Sequence, residues 1–247
     1  LIGVCGPQPA NDFHEPLVFF SWVAAMTKSI HLFPAVIVAP QRQTALLAKQ
    51  ACELQNLSEG RLRLGIGVGW NWVEYEALNS DFRSRGKIIE EQVDVMRQLW
   101  AQELVTFRGR FHTIDRAGIS PRPNMAIPIW FGGYTVSALK RSVHFQAGHI
   151  FGHLNDGVLS LAAQLRDLLA TSTQVPGSMP TEAIFDYSQP REMWSTWVRK
   201  WQEAGGTDLA IRTMATKNVK PSGCITVDDH LAAFAAWRDH LISEGLW

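Results

Sequence analysis

The chain has 247 residues, 46% of them hydrophobic, which is enough to bury one sizeable core; α/β barrels commonly use about 250 residues for a single domain. Its 23 basic and 23 acidic residues balance without any Lys/Arg tract, so the charge pattern argues against a nucleic-acid partner or an anionic membrane surface and favours a small molecule. Cys5, Cys52 and Cys224 form no CxxC pair, no apolar run reaches the roughly 20 residues of a membrane span, and the first residues lack signal-peptide character, so the expectation is a cytoplasmic protein without disulfides or a metal.

Leu1 to Asn11 carries Gly and Pro without a period and reads as a loop. Glu15 to Thr27 is apolar enough for a buried helix, and Ile30 to Ala39 is a β-branched run expected to form a buried strand. Pro34 inside that strand predicts a bulge, since proline removes a ladder donor. Thr44 to Leu57 is a helix with Leu47, Ala51 and Leu54 on one face, closed by Gly60. Arg61 to Val68 is the next strand. Asn71 caps a short helix to Ala77, and Ser84 to Ala101 places Ile89, Val93, Met96 and Trp100 on one stripe. Val105 to His112 predicts a small hairpin turning at Arg108 and Gly109, an insertion at about 103–113.

Further strands are expected at Ile127 to Phe131, His149 to Gly152, Ala183 to Tyr187 and Asp208 to Thr213. Helices follow at Val136 to Gln146, Ser160 to Thr171, Arg191 to Ala204 and, from the Thr226/Asp229 capping pair, on to Glu244. Strand and helix alternate, which implies a parallel sheet with right-handed crossovers, two strands short of a closed (β/α)8 barrel.

Two glycine clusters carry the chemistry. Gly65, Gly67 and Gly69 leave bare backbone at the C-terminal end of a strand, where α/β folds place ligands, although tight packing alone also explains them. GIGVG falls short of a dinucleotide fingerprint, because Trp70 stands where the third glycine belongs, which leaves a Rossmann fold as the lesser alternative. At Gly132 and Gly133 a strand turns into a helix capped by Thr135, and the free N–H groups with the positive helix end suit a phosphate. His144, His149 and His153 lack the spacing of metal-ligand pairs and read as ordinary hydrogen-bonded residues. Asp228, Asp229 and His230 read as helix-start chemistry. Ten tryptophans read chiefly as core, with Trp70, Trp72 and Trp130 either lining a pocket or packing.

The stretch PAVIVAPQRQTALLAKQACELQNLSEGRLRLGIGVGWNWVEYEAL, with DFRSRGKIIEEQVDVMRQLWAQELVTFRGRFH and the later PRPNMAIPIWFGGYTVSALKRS and AGGTDLAIRTM, resembles the luciferase-like monooxygenase family. The resemblance implies a TIM (β/α)8-type barrel as a single domain over 1–247, with reduced FMN and oxygen, or coenzyme F420 for hydride transfer, acting on a small organic substrate. It further implies a homodimer, a flavin reductase as supplier of reduced cofactor, and a chain that begins after the family's first strand, first helix and second strand. The family's catalytic His has no counterpart here, so the catalytic residue is left unassigned. A non-catalytic flavin-binding or partner-completed barrel is the alternative.

Residue by residue, Gly132, Gly133, Tyr134 and Thr135 match the family's phosphate turn, and Arg85 matches an Arg near the same phosphate. Gly67, Val68, Gly69 and Trp70 match the loop beside the flavin ring. Ala35 and Val36 match a bulge whose non-prolyl cis peptide supports that ring. His149 stands where an Asp-Gly-Trp run is usual, and Asn79 replaces a usual Gly.

Overall fold

Glu15 caps the first helix, α1 (Pro16–Met26): its carboxylate accepts the Val18 N–H at 2.7 Å, and Pro16, with no N–H to leave unpaired, opens the helix. The computed structural model describes residues 14–172, 179–214 and 223–247. The loop expected at Leu1 to Asn11, and Cys5 with it, lie outside the described residues. The chain divides into two compact units, Leu1–Gly132 and Gly133–Trp247.

In the first unit α1 is followed by β1 (Ile37–Val38), α2 (Thr44–Leu57), β2 (Leu64–Gly67), α3 (Trp72–Ala77), α4 (Arg85–Ala101), β3 (Val105–Arg108), β4 (Thr113–Ala117) and β5 (Ile129–Gly132). β1 pairs parallel with β2, and β2 parallel with β5, through Ile37↔Ile66 and Ile66↔Phe131. The long strand expected from Ile30 is much shorter. Only Ile37 and Val38 join the ladder, with a single bridge from Leu32 to Leu62, because Pro34 lacks the N–H that a ladder needs. Leu47, Ala51 and Leu54 of α2 and Ile89, Val93 and Met96 of α4 are buried as their spacing predicts.

The hairpin is longer than its sequence suggested. β3 pairs antiparallel with β4 through Phe107↔Ile114, and the turn falls at 109–112 instead of at Arg108 and Gly109. The reason lies in α4. Glu91 accepts the backbone N–H groups of Arg110, Phe111 and His112 at 2.8, 2.8 and 2.7 Å and the His112 ring at 2.8 Å, so one carboxylate sets the turn.

The second unit contains α5 (Val136–Phe145), β6 (Gly148–His153), α6 (Asp156–Ala170), β7 (Thr181–Asp186), α7 (Trp194–Glu203), β8 (Asp208–Arg212) and α8 (Val227–Ser243). β6, β7 and β8 are parallel neighbours. Helix α6 starts four residues before its expected Ser160, since Asn155 accepts the Val158 N–H at 3.0 Å and so caps it earlier. Phe151, Phe185, Trp194, Trp201 and Trp237 fill the core, and Phe185 stacks on Trp237 at 4.4 Å. Each unit thus supplies three parallel strands followed by helices. Among the described residues no helix is long and apolar enough to cross a membrane.

Candidate functional site

Ala35 and Val36 are exposed in a turn that precedes β1, where a bulge was expected, and the peptide between them is cis. The Val36 side chain lies over two glycines: a Cβ on Gly67 would meet its Cγ2 at 2.7 Å, and one on Gly132 its Cγ1 at 2.7 Å. Gly69 sits beside Val38 in the same way and has a φ of +63°, a backbone that favours glycine. The bare backbone at the end of β2 therefore receives valine side chains from the neighbouring turn and strand.

Beyond β2 the Val68 carbonyl accepts the Tyr75 hydroxyl at 2.6 Å, and Tyr75 is fully buried. Burial pushes the Tyr75 phenol well above its ordinary pKa. Its ring meets Phe82 edge-on at 5.3 Å, and the Arg85 guanidinium covers the other ring at 3.8 Å. Arg85 also donates from Nη1 to the Phe82 carbonyl at 2.7 Å, while its buried Nε has no protein partner. Within the first unit the structure therefore links the Val68 loop to Arg85. Trp70 and Trp72 are exposed, whereas Trp130 is buried against Phe33.

In the second unit Gly133 has a φ of +153°, and a Cβ there would meet that of Ala138 at 2.7 Å. Only glycine turns the chain this closely over its own helix. Thr135 caps α5 by accepting the Ala138 N–H at 3.3 Å, and its hydroxyl proton stays free to donate. Residues 134–137 are exposed, and the Val136 and Ser137 N–H groups have no acceptor within the helix. His149, fully buried on β6, binds the Gly133 carbonyl through Nε2 at 3.0 Å and Ser142 Oγ through Nδ1 at 2.8 Å. Burial lowers its pKa to about 4, and the Gly133 bond only partly offsets that.

The sequence reading missed a further cluster. β6, β7 and β8 end in His153, Asp186 and Arg212, and these three side chains meet. Arg212 donates to Asp186 Oδ1 from Nε and Nη2, both at 2.7 Å, and Asp186 also contacts the His153 ring. Tyr134 lies alongside, its hydroxyl occupying the space that a Cβ on Gly152 would need. The signal was available: an ionisable residue closing each of three successive strands marks the end where barrel folds place their chemistry.

Strands that run into helices, with a glycine turn and an exposed helix N-terminus at a strand end, define a barrel-type α/β protein. The chain belongs to the luciferase-like monooxygenase family, whose model matches residues 5–158. Among its relatives is the F420-dependent glucose-6-phosphate dehydrogenase of Kineococcus radiotolerans, 35% identical over 48% of this chain and 37% of that protein. Another is the FMNH(2)-dependent dimethylsulfone monooxygenase of Pseudomonas fluorescens, 28% identical over 64% of this chain and 43% of that protein. The chain spans less than half the length of either relative. The crystal structure of monooxygenase RslO1 from Streptomyces bottropensis matches with a TM-score of 0.74 at 16% identity, over 93% of this chain and 83% of that one. The fold is accordingly of the TIM-barrel class.

Proposed function

We propose that the protein is an oxidoreductase that binds reduced FMN or the deazaflavin coenzyme F420 and acts on a small organic substrate. One observation carries this reading: the Gly133–Thr135 turn presents an exposed helix N-terminus and a free hydroxyl proton in a chain that belongs to the luciferase-like family. The donor set fits a phosphate, a group both cofactors carry, because it consists of N–H and O–H groups with no carboxylate among them.

When bound, the reduced ring supplies the electrons, as a hydride from a deazaflavin or together with oxygen from FMN. The protein's own residues bind and orient. The Val136 and Ser137 N–H groups and the Thr135 hydroxyl hold the phosphate, and Gly133, where a Cβ would meet Ala138, lets the turn lie close over its own helix. Ala35, Val36 and the Gly67–Trp70 loop are assigned to the ring, and Arg85 to the phosphate, on the family's pattern. A homodimer, and a reductase that supplies reduced FMN, belong to the same proposal.

Titration of the chain's effect on FMN and F420 fluorescence tests the reading. Saturable micromolar binding of one cofactor, weakened by Thr135→Ala, is the expected result. Binding of neither favours a non-catalytic or partner-completed barrel.

A further inference from the structure

We propose that His149 is a positioning residue that aims the Gly133–Thr135 turn at the cofactor phosphate; this rests on the function proposed above. The imidazole is fully buried and is held at both nitrogens. Ser142 Oγ lies 2.8 Å from Nδ1 but 3.4 Å from the Ala138 carbonyl, so the hydroxyl proton goes to the ring. Nδ1 is then the acceptor and Nε2 carries the proton, which it donates to the Gly133 carbonyl.

That bond sets a peptide plane. The Gly133–Tyr134 peptide is trans, and in a trans peptide the C=O and N–H point in opposite directions. A carbonyl drawn inward to the imidazole therefore turns the Tyr134 N–H outward, adding a donor to those of the first turn of α5. Gly133 needs such a hold because glycine is the residue most free to rotate. A rotated peptide would present its carbonyl oxygen to the phosphate and repel it. The other tie on Gly133, its N–H to the Ile150 carbonyl at 3.4 Å, belongs to the preceding peptide and leaves the Gly133–Tyr134 plane free. Aromatic packing does not replace the bond: Phe151 meets the His149 ring at 4.4 Å and holds its place, but offers the Gly133 carbonyl no donor.

The test compares each cofactor with its phosphate-free counterpart, using the whole chain: FMN against riboflavin, and F420 against its chromophore without the phosphate-bearing tail. The quantity read is the ratio of the two affinities. His149→Phe keeps the ring's bulk and removes the donor, and the expected result is an affinity ratio lower by about tenfold, the worth of one lost hydrogen bond, with riboflavin binding unchanged. His149→Gln, whose amide can donate to Gly133, should restore part of the ratio. Ser142→Ala, which frees the tautomer and leaves the ring in place, should lower it less and in the same direction. An unchanged ratio in His149→Phe overturns the inference alone; if that variant does not fold, an unchanged ratio in Ser142→Ala does so. A wild-type chain that shows no preference for the phosphorylated form overturns the proposed function, and the inference with it.

Discussion

Arg61 donates through all five of its N–H groups. Nε binds the Ser58 carbonyl, Nη1 the Thr27 hydroxyl and the Ile30 carbonyl, and Nη2 the Ala24 and Thr27 carbonyls, at 2.7 to 3.2 Å. One guanidinium thereby closes the C-terminal end of α1, where cations are favoured. Arg61→Ala should destabilise the fold by about 2 kcal/mol in denaturant titration, and Arg61→Lys should recover little, since an ammonium lacks the planar fork. His149 works in the opposite electrostatic sense. Its pKa is lowered to about 4 in the folded chain, from 6.5, so below pH 6.5 the unfolded chain takes up a proton that the folded chain refuses. Its contribution is therefore complete above pH 6.5 and is lost as the pH falls towards 4, by roughly 3 kcal/mol in total. Equilibrium unfolding measured between pH 7 and pH 4 should show this fall, and His149→Phe should flatten it. Equal slopes in the two proteins would refute the assignment.

At the scale of elements, one carboxylate joins a helix to a hairpin. Burial by itself would raise the Glu91 pKa, but the N–H groups of Phe111, Arg110 and His112 and the His112 ring outweigh it and hold the carboxylate below its usual range. The stabilisation is present above the ordinary Glu value of 4.5 and is lost as the pH falls below it. Glu91→Gln should cost about 2 kcal/mol and raise amide exchange in 109–117 before it does so in α4. The turn before β1 is held differently, by space. Gly67→Ala should destabilise by about 1–3 kcal/mol because its methyl would overlap Val36, and Val36→Ala in the same chain should relieve most of that. A double variant as unstable as Gly67→Ala alone would mean that something other than Val36 requires the glycine.

At the scale of the molecule, the function proposed above links cofactor binding to stability. A ligand that binds only the folded chain adds about 2.7 kcal/mol to unfolding at a hundredfold excess over its Kd. FMN or F420, whichever binds, should raise the melting temperature accordingly. Thr135→Ala also removes the cap of α5, at a cost of about 1 kcal/mol. The informative quantity is therefore the ligand-induced increment, which should shrink in that variant; an undiminished increment would place the phosphate elsewhere.

Local signals carried most of the architecture. The Thr44–Leu57 helix, the Asn71 and Thr135 caps, the Thr226/Asp229 capping box and the β/α alternation are all written in residue spacing, because caps and apolar periods act over four or fewer residues. The Gly132–Thr135 turn was legible for the same reason, as a strand that passes through two glycines into a helix capped by Thr135. What the sequence could not state were partners distant along the chain. Glu91 setting a turn 20 residues away, Val36 filling the space over Gly67 and Gly132, and His153, Asp186 and Arg212 meeting across three strands all depend on register. So does the state of His149: its spacing from Ser142 hints at nothing, and only burial between helix and strand leaves it neutral and bonded to Gly133. The sequence by itself determined most of the helices, several of their caps and the alternation of strand with helix; the tertiary structure alone decided how much of the run from Ile30 pairs, which charges are removed from water and what they then face, because strand pairing, desolvation and hydrogen bonding depend on neighbours that only folding brings together.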